Sequence, residues 1–156
     1  MIGRAGRGHY GTVHVLIKQG GEDDGTTYAM KDQPAKTDAA ETELRTLQDV
    51  TGVPYQNQLH YAFESNGQLS TVVEYSRYGT VGDRTRDRKF GVSVGVVRMC
   101  MAELLVAVLE LYRAGYVHGG VHVENILVVS GGHIGLADYG KAESVDKGKN
   151  CRNHWD

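Results

Sequence analysis

The chain has little cysteine, almost no net charge and no long uninterrupted apolar run. Two cysteines occur in 156 residues, Cys100 in an apolar stretch and Cys151 in a polar tail. That is too few for a disulfide framework, and the chain reads as the product of a reducing compartment, the cytoplasm. A formal net charge of -2 gives no electrostatic footprint for nucleic acid or a membrane surface. The one basic run, Arg84–Lys89, is interrupted by Asp87 and reads as a solvated surface. The opening MIGRAGRGHYG has no apolar core of the kind a secretory signal needs. The most apolar stretch, Val92 to Leu111, carries Arg98, Glu103 and Glu110. It is therefore expected as a buried or amphipathic helix and not as a membrane span.

What is present is one globular domain's worth of patterned sequence, 40% hydrophobic and 23% charged. The first half reads as strands with one helix. Tyr10–Lys18 and Thr26–Lys31 form a predicted hairpin around the Gly/Asp-rich turn Gly20–Gly25. Asp38–Val50 is a predicted helix, with Asp38 as its cap, Glu41 as capping-box partner, and Ala40, Leu44, Leu47 and Val50 on one face. Gln58–Phe63 and Leu69–Tyr75 are two further strands around the turn Glu64–Gly67. Residues 76–91 read as a linker or a poorly formed helix. Val94–Tyr112 is a long helix ending before Gly115, and Asn125–Val129 and His133–Leu136 are short strands.

The chemistry concentrates in a few places. Gly6, Gly8, Gly11 and Val13 fit G-x-G-x-x-G-x-V. Glycines let backbone N–H groups approach phosphates. A dinucleotide fingerprint opens a helix after a strand, whereas here a strand follows, so a glycine-rich hairpin is expected. Lys31 closes the apolar strand end Tyr28-Ala-Met-Lys31. Such a lysine is ordinarily a snorkelling surface residue; in a phosphate site it is a cation that needs a carboxylate. Glu41 and Glu43 are both within reach on the helix, and Glu43 is favoured because Leu47, four residues on, faces the core. His118 and His122 form H-x-x-x-H, which suits zinc only on a helix. Gly119 and Gly120 oppose a helix, and no third ligand is evident.

Taken in order, the glycine loop, Tyr28–Lys31, the Glu-bearing helix, His118-Gly-Gly-Val-His-Val-Glu-Asn125 and Asp138-Tyr-Gly140 resemble the eukaryotic protein-kinase family over nearly the whole chain. Pro54 to Leu69 is similar to the serine/threonine group regulated by cyclic nucleotides and lipids. The DYG and HG variants are similar to the vaccinia-related branch, so no subfamily is assigned.

The resemblance implies an α+β, protein-kinase-like fold. A small antiparallel-sheet lobe with one helix spans 1–75, and an incomplete helical C-terminal lobe spans 76–156. It implies ATP and Mg²⁺ as ligands. Gly6, Gly8, Gly11 and Lys31 would face the phosphates, with Glu43 holding Lys31. Val13, Ala29 and Leu127 would enclose adenine, with Val73 at the gatekeeper position and the backbone of Glu74 and Ser76 at the hinge. Asn125 and Asp138 would be metal ligands, and Leu47, Leu59, His118 and Tyr139 an interlobe spine.

It also exposes a departure. Gly119 stands at the Arg and Gly120 at the catalytic Asp of H-R-D-L-x-x-x-N, and His122 at the following Lys. No intact catalytic base is present, and Glu124 is the nearest carboxylate to replace it. After Gly140 only Lys141–Asp156 remain, the start of an activation loop without its full length or an A-P-E motif. The expected function is a nucleotide-binding kinase-like module, catalytically impaired and regulatory or scaffolding, with a protein partner on the apolar face of helix 94–112. The alternatives are a weak serine/threonine kinase and a truncated, non-functional fragment.

Overall fold

The computed structural model describes residues 3–8, 11–87 and 93–145. Cys151, most of the polar tail, and His9 and Tyr10 of the glycine stretch lie outside them. Five strands form one antiparallel sheet: β1 (Gly3–Gly8), β2 (Gly11–Ile17), β3 (Thr27–Pro34), β4 (Leu59–Ser65) and β5 (Gln68–Glu74), in the order β1-β2-β3-β5-β4. The glycines at 6 and 8 are therefore strand residues, paired with Val13 and Gly11.

Register decides what the sheet can do. Val13 stands opposite Lys31 and Lys31 opposite Thr71, while Ala29 stands opposite Val73. Directly opposed residues point to the same face and side chains alternate along a strand. These five side chains therefore share one face. The β4–β5 turn is built by Asn66 (φ 50°) and Gly67 (φ 73°), the two left-handed residues that a tight hairpin needs.

Helix α1 (Asp38–Val50) packs beneath this sheet. Its cap is Thr37, whose hydroxyl accepts from Ala40 N at 3.2 Å. Asp38, expected as the cap, is instead the first helical residue, where its charge complements the helix dipole. Residues 76–91, expected as a linker or a poorly formed helix, contain a short helix, α2 (Val81–Arg86). Thr80 and Asp83 close a reciprocal capping box: Asp83 N donates to Thr80 Oγ1 at 3.0 Å, and Thr80 N to Asp83 Oδ2 at 2.9 Å.

Helix α3 (Val94–Arg113) starts at Ser93, whose hydroxyl accepts from Val96 N. Three short pieces follow: β6 (Tyr116–Val117), β7 (Ile126–Val128) and β8 (Ile134–Leu136). β7 and β8 pair with each other, and β6 pairs with β9 (Glu143–Ser144). One core joins the parts: Leu47 and Val50 of α1 meet Ala107 and Leu111 of α3, with Ile126, Leu136 and Tyr139 between them. Only Glu103, Ala107 and Leu111 of α3 are buried, and its other face leaves Val94, Met101 and Leu105 exposed. Among the described residues no helix is long and apolar enough to cross a membrane.

Candidate functional site

The sheet face carrying Lys31 closes over a pocket of ≈ 350 Å³. Val13 and Ala29 form one wall and Leu127 of β7 lies across from them; Glu74, Tyr75 and Ser76 form its edge. Ser76 fixes that edge by donating its hydroxyl to Val128 O at 2.6 Å. The polar end holds Lys31, Glu43, Asn125 and Asp138.

Lys31 Nζ stands 2.8 and 2.7 Å from the two oxygens of Glu43 and 3.0 Å from Asp138 Oδ1. Glu43 is 4% exposed and accepts a further bond from Gln33 Nε2 at 2.9 Å. Of the two carboxylates open in the sequence, Glu43 makes this contact and Glu41 is exposed. Burial opposes the charge on Lys31, but Glu43 and then Asp138 outweigh it and hold its pKa above the ordinary lysine value. Asp138 is held with φ 65°, a left-handed conformation that few non-glycine residues adopt.

Gly11 lines the pocket, and a Cβ there would lie 2.3 Å from Asp32 O. Glycine is thus required at that position by the close β2–β3 crossing itself. Gly6 and Gly8 lie on the neighbouring strand β1, opposite Val13 and Gly11.

The loop after β6 is organised by His118, which is 3% exposed. Its Nδ1 accepts from Gly120 N at 3.2 Å, which leaves the proton on Nε2, 3.1 Å from Ala137 O. Burial lowers its pKa, so the ring is neutral. With both ring nitrogens engaged, it has none to share in a metal pair with His122, which is exposed.

Gly119 has φ 68°, and a Cβ on it would lie 2.2 Å from Lys141 O. Gly120 differs: its φ is not left-handed, and a Cβ would meet Asn125, His118 and Lys141 side chains only at 3.7 Å. Asn125 Nδ2 donates to Gly120 O at 2.9 Å, leaving its amide oxygen as the free acceptor. Glu124 is turned to α2. It pairs with Arg86 Nη1, accepts from Arg86 Nη2 at 3.1 Å and from the Thr80 hydroxyl at 3.3 Å. Arg86 lowers its pKa, making it a poorer proton acceptor.

Leu47 and Tyr139 are buried in one core with Leu59 packed against it, and the His118 and Tyr139 rings are 5.4 Å apart. A sequence profile described as the protein kinase domain matches residues 2–155.

The chain belongs to the protein kinase domain family.

This kinase domain is 34% identical over 143 residues to human ribosomal protein S6 kinase alpha-4, covering 86% of this chain and 18% of that protein. Mouse ribosomal protein S6 kinase alpha-6 is 33% identical over 150 residues, covering 92% and 20%. Human Citron Rho-interacting kinase is 30% identical over 150 residues, covering 92% and 7%. The chain thus spans a fifth or less of the length of these relatives.

Several contributors to the kinase-domain site escaped sequence reasoning. Gln33 supports Glu43, and Asn57, Thr71 and Thr80 line the pocket. Strand register signals Gln33 and Thr71, since they lie two residues from Lys31 and opposite it. Thr80-x-x-Asp83 carried a capping signature. Nothing local signals Asn57, which arrives through the pairing of Asn57 N with Leu136 O at 2.8 Å.

Proposed function

We propose that this chain is a kinase-type domain, divided into lobes at 1–75 and 76–156, that binds ATP with Mg²⁺ and is impaired in phosphate transfer. The observation that carries the reading is the contact of Lys31 with both Glu43 and Asp138 at one end of a pocket walled by Val13, Ala29, Val73 and Leu127. The donor set fits such a ligand. Val13, Ala29 and Leu127 offer apolar faces to a flat base, and the backbone of Glu74 and Ser76 offers hydrogen bonds to its edge. Gly6, Gly8 and Gly11 belong to the adjoining hairpin, whose backbone N–H groups would face phosphates, and Lys31 is a cation for phosphate oxygens. The Asn125 oxygen and the Asp138 carboxylate are hard ligands suited to Mg²⁺. The bound metal would supply charge neutralisation for the phosphates.

Impairment follows from Gly120, which has no side chain to accept a hydroxyl proton. Loss of a positioned general base costs roughly 10²–10⁴-fold, or about 3–5 kcal/mol of barrier. Glu124 does not supply a replacement, because Arg86 occupies its carboxylate. His122 is exposed and carries charge only when protonated. The domain then acts as a regulatory or scaffold module of the cytoplasm, meeting a protein partner through the apolar face of α3.

Thermal unfolding with and without MgATP tests the reading. Ligand at a hundred times its Kd stabilises a fold by roughly 2.7 kcal/mol. The expected result is an upward shift that Lys31→Ala removes, with no transfer of radiolabelled phosphate. Absence of any shift in a cooperatively melting sample would overturn nucleotide binding. Transfer abolished by Asp138→Ala would overturn impairment.

A further inference from the structure

We propose that the Tyr139 hydroxyl and the Gln56 carboxamide form a latch that holds Asp138 in the pocket and makes its position depend on the packing of α3. The inference rests on the reading of Asp138 as a metal ligand and adds a control element to that site.

Asp138 sits in a left-handed backbone conformation at φ 65°, which needs support from its surroundings. Its own carboxylate provides one contact, to Lys31. The residue after it provides another. Tyr139 is fully buried, and a buried phenol requires a hydrogen-bond partner for its hydroxyl. The hydroxyl's single proton is shared between Gln56 Oε1 at 2.9 Å and Leu136 O at 2.7 Å. A phenylalanine would fill the same volume and make neither bond, so the hydroxyl's contribution is separable from packing.

Gln56 is itself 4% exposed. Its amide nitrogen donates to Ala107 O in α3 at 2.8 Å. A carbonyl only accepts, so this bond fixes the nitrogen toward α3 and turns Oε1 toward Tyr139. The backbone around Gln56 is stitched to β8: Asn57 N donates to Leu136 O, and Leu136 N to Tyr55 O, both at 2.8 Å. A continuous path therefore runs from Ala107, through Gln56 and Tyr139, to Asp138. Its far end lies on the one buried stripe of a helix whose other face is exposed. A shift of α3 at Ala107 would free the amide, and the amide's rotation would leave the tyrosine proton to Leu136 O alone, cutting its tie to α3.

The test uses the full chain with Tyr139→Phe and, separately, Gln56→Met. The first readout is amide hydrogen exchange without ligand. Ala137 N–H bonds Asn125 O and Ala142 N–H bonds Tyr139 O, both at 2.9 Å, so these two amides report the segment. Both variants are expected to exchange there about tenfold faster, with β2 and β3 amides unchanged. The second readout is ATP affinity with Mg²⁺ and with EDTA. The magnesium-dependent part is expected to fall several-fold while affinity in EDTA holds.

Unchanged exchange at Ala137 and Ala142, or uniform acceleration through β2 and β3, would overturn the latch. Local acceleration with an unaltered magnesium dependence would overturn its link to Asp138. If the unaltered chain binds no nucleotide in either buffer, the functional reading fails while the exchange arm still decides the latch. Should one variant not fold, the other reads the same path from its opposite end.

Discussion

Lys31 Nζ lies 3.0 Å from Asp138 Oδ1, across 107 residues of sequence, while also holding both oxygens of the buried Glu43. One cation thus serves two carboxylates of unequal exposure, Glu43 at 5% and Asp138 at 38% by side chain. The two need different things from it. Glu43 cannot turn to water, and Asp138 can.

Removing Lys31 therefore strands Glu43. Lys31→Met is expected to lower the unfolding free energy by roughly 3 kcal/mol, since breaking a buried pair leaves an uncompensated charge. Glu43→Gln in the same chain should recover most of that loss, because a neutral amide needs no cation. Neither change should recover a MgATP-induced shift. Urea unfolding of the two single variants and the double variant, scored as a cycle, measures the coupling. Additive losses would show that Lys31 and Glu43 act independently.

The two glycines of the 118–125 loop should respond oppositely to side chains. Gly119 has φ 68°, and its Cβ would collide with Lys141 O, so Gly119→Ala should destabilise the chain by about 1–3 kcal/mol. A Cβ on Gly120 meets only ordinary contacts at 3.7 Å, so Gly120→Asp should leave the melting temperature nearly unchanged. If the absent carboxylate is what impairs transfer, Gly120→Asp should also raise phosphotransfer by roughly 10²-fold or more. Melting curves test the first contrast and radiolabelled transfer the second.

Local patterns made much of this legible. Alternation marked the strands, and helical phase put Glu43 on the same side as Leu47. The features that escaped depend on distant pairings or on competition between neighbours. Thr37 caps α1 where Asp38 was expected, because capping depends on which residue keeps an extended backbone. Helix α2 was legible only as one of two readings, a linker or a poorly formed helix, because its polar run has a capping box but few apolar residues. The β6–β9 pairing, the diversion of Glu124 to Arg86 and the Gln56–Tyr139 bond join residues 26 to 83 positions apart. No window of sequence contains both partners. Gly119 and Gly120 looked alike as letters, and only the backbone angle separates a glycine that is needed from one that is merely present.

His118 should make stability depend on pH on the acid side. Its ring is neutral in the fold, with the pKa lowered by burial. Below the ordinary histidine value, about 6.5, the unfolded chain binds a proton that the folded chain does not. Stability contributed by the neutral ring is complete above about 6.5 and is lost as pH falls toward the depressed folded value. Urea midpoints at pH 7.5 and 5.5 should differ more for the native chain than for His118→Gln. The comparison cancels the other histidines. Equal pH dependence would mean that His118 titrates as if exposed.

Thr46 offers a test that leaves the pocket residues untouched. It is fully buried on α1, and its hydroxyl has no hydrogen-bond partner among the described residues. An unmade bond of this kind carries the desolvation penalty without compensation, about 1–3 kcal/mol. Valine has nearly the same shape and the same branching at Cβ, so Thr46→Val should keep the packing and remove the orphaned oxygen. The expected gain is about 1 kcal/mol, or roughly 2–4 °C in Tm for a chain of this size. Thr46→Ser retains the hydroxyl and loses the methyl, so it should lose stability instead. Because Glu43 and Leu47 lie on the same helix, a real gain should also leave the MgATP response intact. If Thr46→Val destabilises the chain, its hydroxyl is hydrogen-bonded in solution after all.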